Sequence, residues 1–119
     1  MTAVTDCIFC GIVAGDVPSD VVHQTERTLA FRDIEPVAPV HVLVVPRRHI
    51  DNAAAVGSDD AQDVAAMLEA AREVAEAEGI GTADRGYRLV FNVGRDARNA
   101  VSHLHLHVIG GRSMAWPPG

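Results

Sequence analysis

Residues 103–109 read His-Leu-His-Leu-His-Val-Ile. Imidazole and aliphatic side chains alternate with a period of two, which is the repeat of an extended strand and not of a helix. The expectation is a β-strand from His103 to Ile109, with His103, His105 and His107 on one face and Leu104, Leu106 and Val108 on the other. Successive histidines would stand roughly 6.5–7 Å apart along the backbone. The chain has 6 histidines in 119 residues, so half of them share this one face. Imidazole titrates near neutral pH, and neighbouring rings can divide the roles of nucleophile and acid. The alternatives are a metal site made by the row alone and a half-exposed strand whose outer positions happen to be histidine.

Working outward, Tyr87 to Val93 also alternates, with Tyr87, Leu89, Phe91 and Val93 on one side and Arg88, Val90 and Asn92 on the other. A polar loop, Gly-Arg-Asp-Ala-Arg-Asn at 94–99, joins it to the histidine strand. Val40 to Val45 is a nearly unbroken aliphatic run, the composition of a buried strand, and Pro46 ends it. Val21 to Gln24 and Thr28 to Ile34 read as two short strands around a turn at Glu26–Arg27. Residues 59–78 carry Ala61, Val64, Met67, Leu68, Ala71, Val74 and Ala75 at the three-four spacing of one helical face. Ser58 or Asp59 can cap its start, and Gly79 sits where a left-handed terminating residue belongs. A short helix fits within residues 6–15, ending at Gly15. Strand connections are short except across the long helix, which favours antiparallel pairing. The expected class is α+β: an antiparallel five-stranded sheet, one long helix on its face and one short N-terminal helix, in a single domain over 1–119.

Composition narrows the function. Hydrophobic residues are 48% of the chain but aromatics only 4%, so small aliphatics must fill the core. A chain this short buries only about two-thirds of its unfolded surface, and a second copy or a metal would help it. The formal charge is −6, which argues against binding nucleic acid through many phosphates and leaves room for a single nucleotide in a local site. No apolar run approaches the ~20 residues of a membrane helix. Residues 1–6 carry neither the basic nor the hydrophobic segment of a signal peptide, so a cytoplasmic protein with no membrane partner is expected. All 10 basic residues are arginine, a codon bias that suggests a GC-rich bacterial source. Cys7 and Cys10 stand three positions apart, a spacing that in a cytosolic chain is more often metal-binding or redox-active than a structural disulfide.

The histidine row matches the H-φ-H-φ-H-φ-φ signature of the histidine triad superfamily. Residues 7–10 (CIFC), 30–34 (AFRDI), 41–50 (HVLVVPRRHI), 87–94 (YRLVFNVG) and 103–119 (HLHLHVIGGRSMAWPPG) extend the likeness in order along nearly the whole chain. The ending Trp116-Pro117-Pro118-Gly119 resembles the histidine triad nucleotide-binding, or Hint-like, branch in particular. The resemblance implies a hydrolase that cleaves the P–N bond of purine nucleoside 5′-phosphoramidates through a nucleotidyl-histidine intermediate. His105 would be the nucleophile, and His107 would contact the phosphate and help protonate the leaving amine. His41 would lie near the nucleophile; as a bare residue it could equally be a surface histidine at a strand end.

Asp33 and Ile34 match the family's nucleoside-binding pair, with the carboxylate accepting from both ribose hydroxyls. Asp33 could instead cap the turn before Pro36. Ile8, Phe9, Phe31 and Leu43 resemble the apolar walls around the base, and each could equally be ordinary core. Asn92 matches a position that contacts the nucleotide. The loop before the triad departs from the pattern. Ala97, Arg98, Asn99 and Ala100 stand where Gly, Gln and then Ser or Thr are usual, so Ala100 brings no hydroxyl to the phosphate. Loop N–H groups could still cradle it, with Arg95 or Arg98 supplying charge. The expected consequence is a weaker activity of the same class.

Cys7, Cys10, His49 and His103 resemble the zinc set of some bacterial members, a structural tetrahedral Zn2+ tying the N-terminus to the sheet. The other reading is a pair of small, idle thiols. No organic cofactor is expected. The resemblance further implies a homodimer formed through the long helix and an edge strand, with the sheet continuing across it and Trp116 near the partner's site. Two other functions remain open: hydrolysis of dinucleoside polyphosphates, as in Fhit-like relatives, and a zinc-stabilised nucleotide-binding module with weak catalysis.

Overall fold

The computed structural model of the chain describes residues 7–119. The reading of residues 1–6 as free of a leader lies outside the described residues. The chain runs through α1 (Ile8–Ala14), β1 (Val21–Gln24), β2 (Thr28–Arg32), β3 (Val40–Pro46), α2 (Ala61–Ala77), β4 (Tyr87–Val90) and β5 (Leu106–Gly110). The five strands form one antiparallel sheet in the order β1-β2-β3-β5-β4, which is the expected α+β arrangement. Among the described residues no helix is long and apolar enough to cross a membrane.

The sheet has two unlike faces. Val40, Val42 and Val44 of β3, with Leu106 and Val108 of β5, pack under Met67, Ala70, Ala71, Val74 and Ala75 of α2. On the other face Leu29, Phe31, Leu43 and Val45 pack against Phe9 of α1. Val40 to Val45 is buried on both sides, which explains its continuous aliphatic composition. Gly15 (φ 83°) ends α1 and Gly79 (φ 78°) follows α2, both in the left-handed region where a Cβ is disfavoured.

Several boundaries differ from expectation. The ladder of the last strand begins at Leu106, not at His103. Its register pairs Val44 with Leu106, and continuing that register sets Pro46 opposite Leu104. Proline has no N–H to give, so the ladder ends there. The in–out alternation nevertheless continues upstream, because Leu104 lies in the α2-side core and His103 and His105 face α1. Residues 91–93 likewise fall outside β4, whose pairing with β5 ends at Val90 opposite His107. β2 stops at Arg32, before Asp33 and Ile34.

α2 starts at Ala61 after a 3-10 turn over Ser58–Asp60, and neither Ser58 nor Asp59 caps it. Asp60 occupies the cap position, but its carboxylate accepts from Gly57 N–H and from Arg48. The apolar face of α2 is also rotated from the simple pattern. Ala61 and Leu68 are exposed, while Asp63 is buried because Arg27 and Arg48 both donate to it.

Candidate active site

β3 and β5 set His41 and His107 on the α1 face of the sheet, in register with Ile109 and Leu43 respectively. His41 Nδ1 accepts the Val37 N–H at 3.1 Å. Its own proton therefore sits on Nε2, which lies 2.8 Å from His107 Nδ1 and 3.3 Å from Asp33 Oδ2. His107 Nδ1 is then an acceptor and its proton sits on Nε2, 3.5 Å from the Asn92 side-chain amide, whose oxygen accepts that proton once the amide is turned over. Burial lowers the pKa of His41, against the pull of Asp33. Burial also pushes His107 down to about 4, helped by His105 and His41 and opposed by Asp33. Both rings are neutral at pH 7.

His105 is held differently. Its Nδ1 lies 2.7 Å from the His103 carbonyl oxygen, so Nδ1 carries the proton and donates it. The Nε2 lone pair is left free. The His105 ring is half-buried, 5.1 Å from the His107 ring and 5.2 Å from Phe9 in an edge-on contact. One imidazole thus presents a free Nε2 lone pair beside a second that is neutral, half-buried and hydrogen-bonded to a third.

His103 belongs to a separate cluster. It is fully buried, with Nδ1 3.3 Å from Cys7 Sγ and 3.4 Å from Cys10 Sγ. His49 Nδ1 lies 3.2 Å from Cys10 Sγ. All four ligand atoms fall within 4.8 Å of one another, while the edges of a zinc tetrahedron measure about 3.3–3.8 Å. The outer nitrogens fit a metal as well. His103 Nε2 donates to the Pro46 carbonyl at 2.9 Å and His49 Nε2 to Asp51 Oδ1 at 2.9 Å. Both bonds fix the tautomer that turns an Nδ1 lone pair toward the thiols, the usual support around a metal. Without a cation, burial and the neighbouring Cys7 thiol raise the Cys10 pKa to about 11. Two thiols and two imidazoles suit zinc, which would tie α1 to the segments around His49 and His103.

The histidine row is therefore not a metal site by itself, because His103 turns to the cysteines and His105 to a carbonyl. Asp33, His41 and His107 also offer close donor atoms. There the Val37 N–H occupies His41 Nδ1, so a cation on Nε2 would leave that ring with no proton at all. This trio suits proton traffic rather than a metal.

Asp33 makes the bond of the turn-capping alternative, accepting Glu35 N–H on Oδ1 at 2.8 Å, and also faces His41 through Oδ2. A carboxylate has lone pairs for both and for a ribose hydroxyl. Phe9, Phe31 and Leu43 are buried in the α1-side cluster and form a floor, while Ile8 is 53% and Ile34 95% exposed. The exposed pair is what an apolar base could cover. The loop over 94–100 is closed by Asn99 N–H on the Gly94 carbonyl and Arg98 N–H on the Arg95 carbonyl. Arg98 is left-handed at φ 63°, and the Asn99 side-chain oxygen is buried without a partner. Arg95, Arg98 and Ala100 are exposed. Sequence reasoning missed Val37, Pro46 and Asp51, whose roles run through one backbone N–H, one carbonyl and one carboxylate. Only Asp51, two positions after His49, left a signal in the sequence.

The HIT domain family model matches residues 14–114. The chain belongs to the HIT domain family. An uncharacterized HIT-like protein of Synechococcus elongatus is 40% identical over 114 residues, covering 96% of this chain and 97% of that one. Among solved structures, a HIT family hydrolase from Legionella pneumophila superposes with a TM-score of 0.91 at 46% identity, covering 96% of this chain and all of that one. A HIT family hydrolase from Clostridium thermocellum gives 0.87 at 43% identity, covering 92% and 94%. This HIT chain thus has the fold of these two HIT family hydrolases.

Proposed function

We propose that this protein is a nucleoside 5′-phosphoramidate hydrolase with purine preference, acting through a nucleotidyl-histidine intermediate. The observation that carries the reading is the His105 ring, whose Nδ1 proton is spent on the His103 carbonyl and whose Nε2 lone pair is free. That lone pair attacks the α-phosphorus, forming a P–N bond to the enzyme as the bond to the amine breaks. An anionic phosphate beside His107 favours its protonated form, against the burial that keeps it neutral in the empty site. The resulting imidazolium delivers one proton to the leaving nitrogen. Water, relieved of a proton by His107, then attacks the phosphorus, releases the nucleoside monophosphate and restores His105. Two modest displacements replace one difficult one. Asp33 would hold the ribose and the Asp33–His41 pair would steady His107.

Zinc bound by Cys7, Cys10, His49 and His103 is part of this reading, supported by the inward-facing Nδ1 atoms. When bound it supplies a rigid structural link and no catalytic chemistry. A cytoplasmic setting, where thiols stay reduced, agrees with the free cysteines. A homodimer is also proposed, since β4 is an edge strand and Leu68 and Leu89 lie exposed on the α2 side. Light scattering at micromolar concentration should give a dimer mass; a monomer overturns that part.

The test is an adenosine 5′-phosphoramidate bearing a fluorescent amine. Wild type should release the amine, and His105→Ala should lose roughly a thousand-fold or more in turnover while keeping its fold. A nucleotidyl adduct on His105, trapped by rapid quench, would be the direct signature. The competing reading, a binding module with weak catalysis, is favoured by one observation: Ala100 offers no hydroxyl to the phosphate. It predicts nucleotide binding without His105-dependent turnover. Introducing Ala100→Ser should raise turnover if the missing hydroxyl limits the rate.

A further inference from the structure

The two clusters are not independent. His103 carries a ring that reaches Cys7 and Cys10 and a carbonyl that holds the nucleophile's proton. Phe9, between the cysteines in α1, meets the His103 ring at 6.0 Å and the His105 ring at 5.2 Å, both edge-on. The His103 carbonyl has no ladder partner, because the β3–β5 pairing ends at Leu106. Its position depends on the ring at one end of the residue and on Leu104 N–H, which donates to the Ile50 carbonyl at 2.6 Å. Ile50 follows His49, a further member of the thiol cluster. That carbonyl is therefore held through the His103 ring, which meets both thiols at Nδ1 and the Pro46 carbonyl at Nε2, and through the residue that follows His49.

The thiols are also placed to react with each other. Cys7 occupies the cap position of α1 and Cys10 the third residue beyond it, with Cys10 N–H donating to Cys7 Sγ at 3.3 Å. Both cysteines are free, partly exposed and have sulfurs within 4.8 Å. One turn at a helix start is a spacing that closes a disulfide without unfolding the helix.

We propose that Cys7 and Cys10 form a redox switch on the nucleophile: reduced, they hold His103 so that its carbonyl fixes His105 in the Nδ1–H tautomer; oxidised, they release it. The proposal rests on the reading of His105 as nucleophile. The oxidant is a peroxide. Two thiolates lose one electron each and form the S–S bond, the O–O bond breaks, and with two protons the peroxide leaves as two waters. A disulfide has no thiolate charge to give, so any bound metal ion departs. The His103 ring keeps its bond to the Pro46 carbonyl but loses both thiol partners on Nδ1, the 103–105 segment loosens, and the His105 proton redistributes between its two nitrogens. Cys7 and Cys10 are positioning residues; neither touches the substrate.

The test follows the 15N-labelled, zinc-loaded full chain through a hydrogen peroxide titration and back with a dithiol and zinc. Long-range 1H–15N spectra read the His105 tautomer, a chromophoric chelator reads zinc release, intact mass reads the loss of two hydrogens, and the fluorescent phosphoramidate reads turnover. The expected result is disulfide formation with zinc release, a change of His105 from one tautomer to a mixture, and a fall in turnover of roughly ten-fold or more, reversed on reduction. A Cys7→Ser/Cys10→Ser chain should show the mixed tautomer without oxidant and no further response to it. If the disulfide forms while His105 keeps its tautomer and turnover, or if no disulfide forms, the switch is wrong and the hydrolase reading stands. If the reduced protein shows no turnover but the tautomer changes on oxidation, the hydrolase reading fails and the structural switch survives. An equal response in the double variant also overturns the switch.

Discussion

The two faces of the sheet are built on different physics. Under α2 the side chains are aliphatic, interchangeable in kind and buried to the last few per cent, as with Val42, Val44, Met67 and Val108. Under α1 the aliphatic layer is thin, with Phe9, Leu29, Phe31, Leu43 and Val45 alone as its buried core. Beyond them lie histidines, thiols and a carboxylate. The first face is held by area removed from water, which is non-directional. The second is held by tautomers, each fixed by one atom: Val37 N–H for His41, Pro46 oxygen for His103, Asp51 for His49 and His103 oxygen for His105. Damage to the first face should therefore appear as lost stability with intact chemistry, and damage to the second as lost chemistry at moderate structural cost.

The largest effect on stability should come from the α2 face. Met67 has no exposed surface and sits at the centre of the aliphatic cluster. Met67→Ala removes about 2–5 kcal/mol by lost transfer energy and the cavity left behind. Denaturant midpoints measure it, and turnover per folded molecule should stay at the wild-type value. If turnover of the folded fraction falls as steeply as stability, the faces are coupled through the sheet and the contrast fails.

Removing metal sharpens the same contrast from the other side. With zinc bound, stripping it with a chelator should lower the melting temperature by about 5 °C or more, because binding free energy is folding free energy. The loss should be local. Hydrogen exchange should speed up in Ile8–Ala14 and around residues 47–51 and 101–105, while Ala61–Ala77 keeps its protection. Uniform acceleration across both helices would mean that the cluster supports the whole fold and not one face.

What was legible in the sequence follows the same division. The α2 face obeys repeating patterns, so Val21 to Gln24, the run from Val40, the long helix and Gly79 could be read directly. Its errors came from charge: Asp60 and Asp63 turn inward because Arg48 and Arg27 are there to meet them, and no helical period encodes a partner 36 residues away. On the α1 face the residue types were legible, since three alternating histidines are an uncommon pattern. Their division of labour was not. His103 parts from the other two because Cys7, 96 residues upstream in sequence, lies beside it. The end of the ladder at Pro46 is what frees two carbonyls for imidazole protons. Long-range neighbours and unpaired backbone atoms leave no local periodicity, so the grouping of Cys7, Cys10, His49 and His103 came from family likeness and the tautomers only from coordinates.

The smallest expected effect concerns pH, and it separates the faces without any substitution in the core. His107 is neutral in the fold, its pKa pushed from the ordinary 6.5 down to about 4 chiefly by burial. The unfolded chain takes up a proton there as pH falls below about 6.5, whereas the folded chain does not until about 4. Protons bind the unfolded state more strongly across that window, so acid favours unfolding. The stability associated with neutral His107 is complete above pH 6.5 and drains as pH falls toward 4, with His41 shifted in the same direction. Asp60 does not confuse the reading, because Gly57 N–H and Arg48 hold its pKa below the ordinary 3.8, beneath the window. Denaturant midpoints taken from pH 7.5 to 4 should therefore decline in wild type and decline less in His107→Gln, which keeps a polar side chain but has no proton to gain. Met67→Ala should run parallel to wild type, lower at every pH. A His107→Gln curve as steep as wild type would place the acid sensitivity elsewhere and remove the half-buried neutral imidazole from the account of the α1 face.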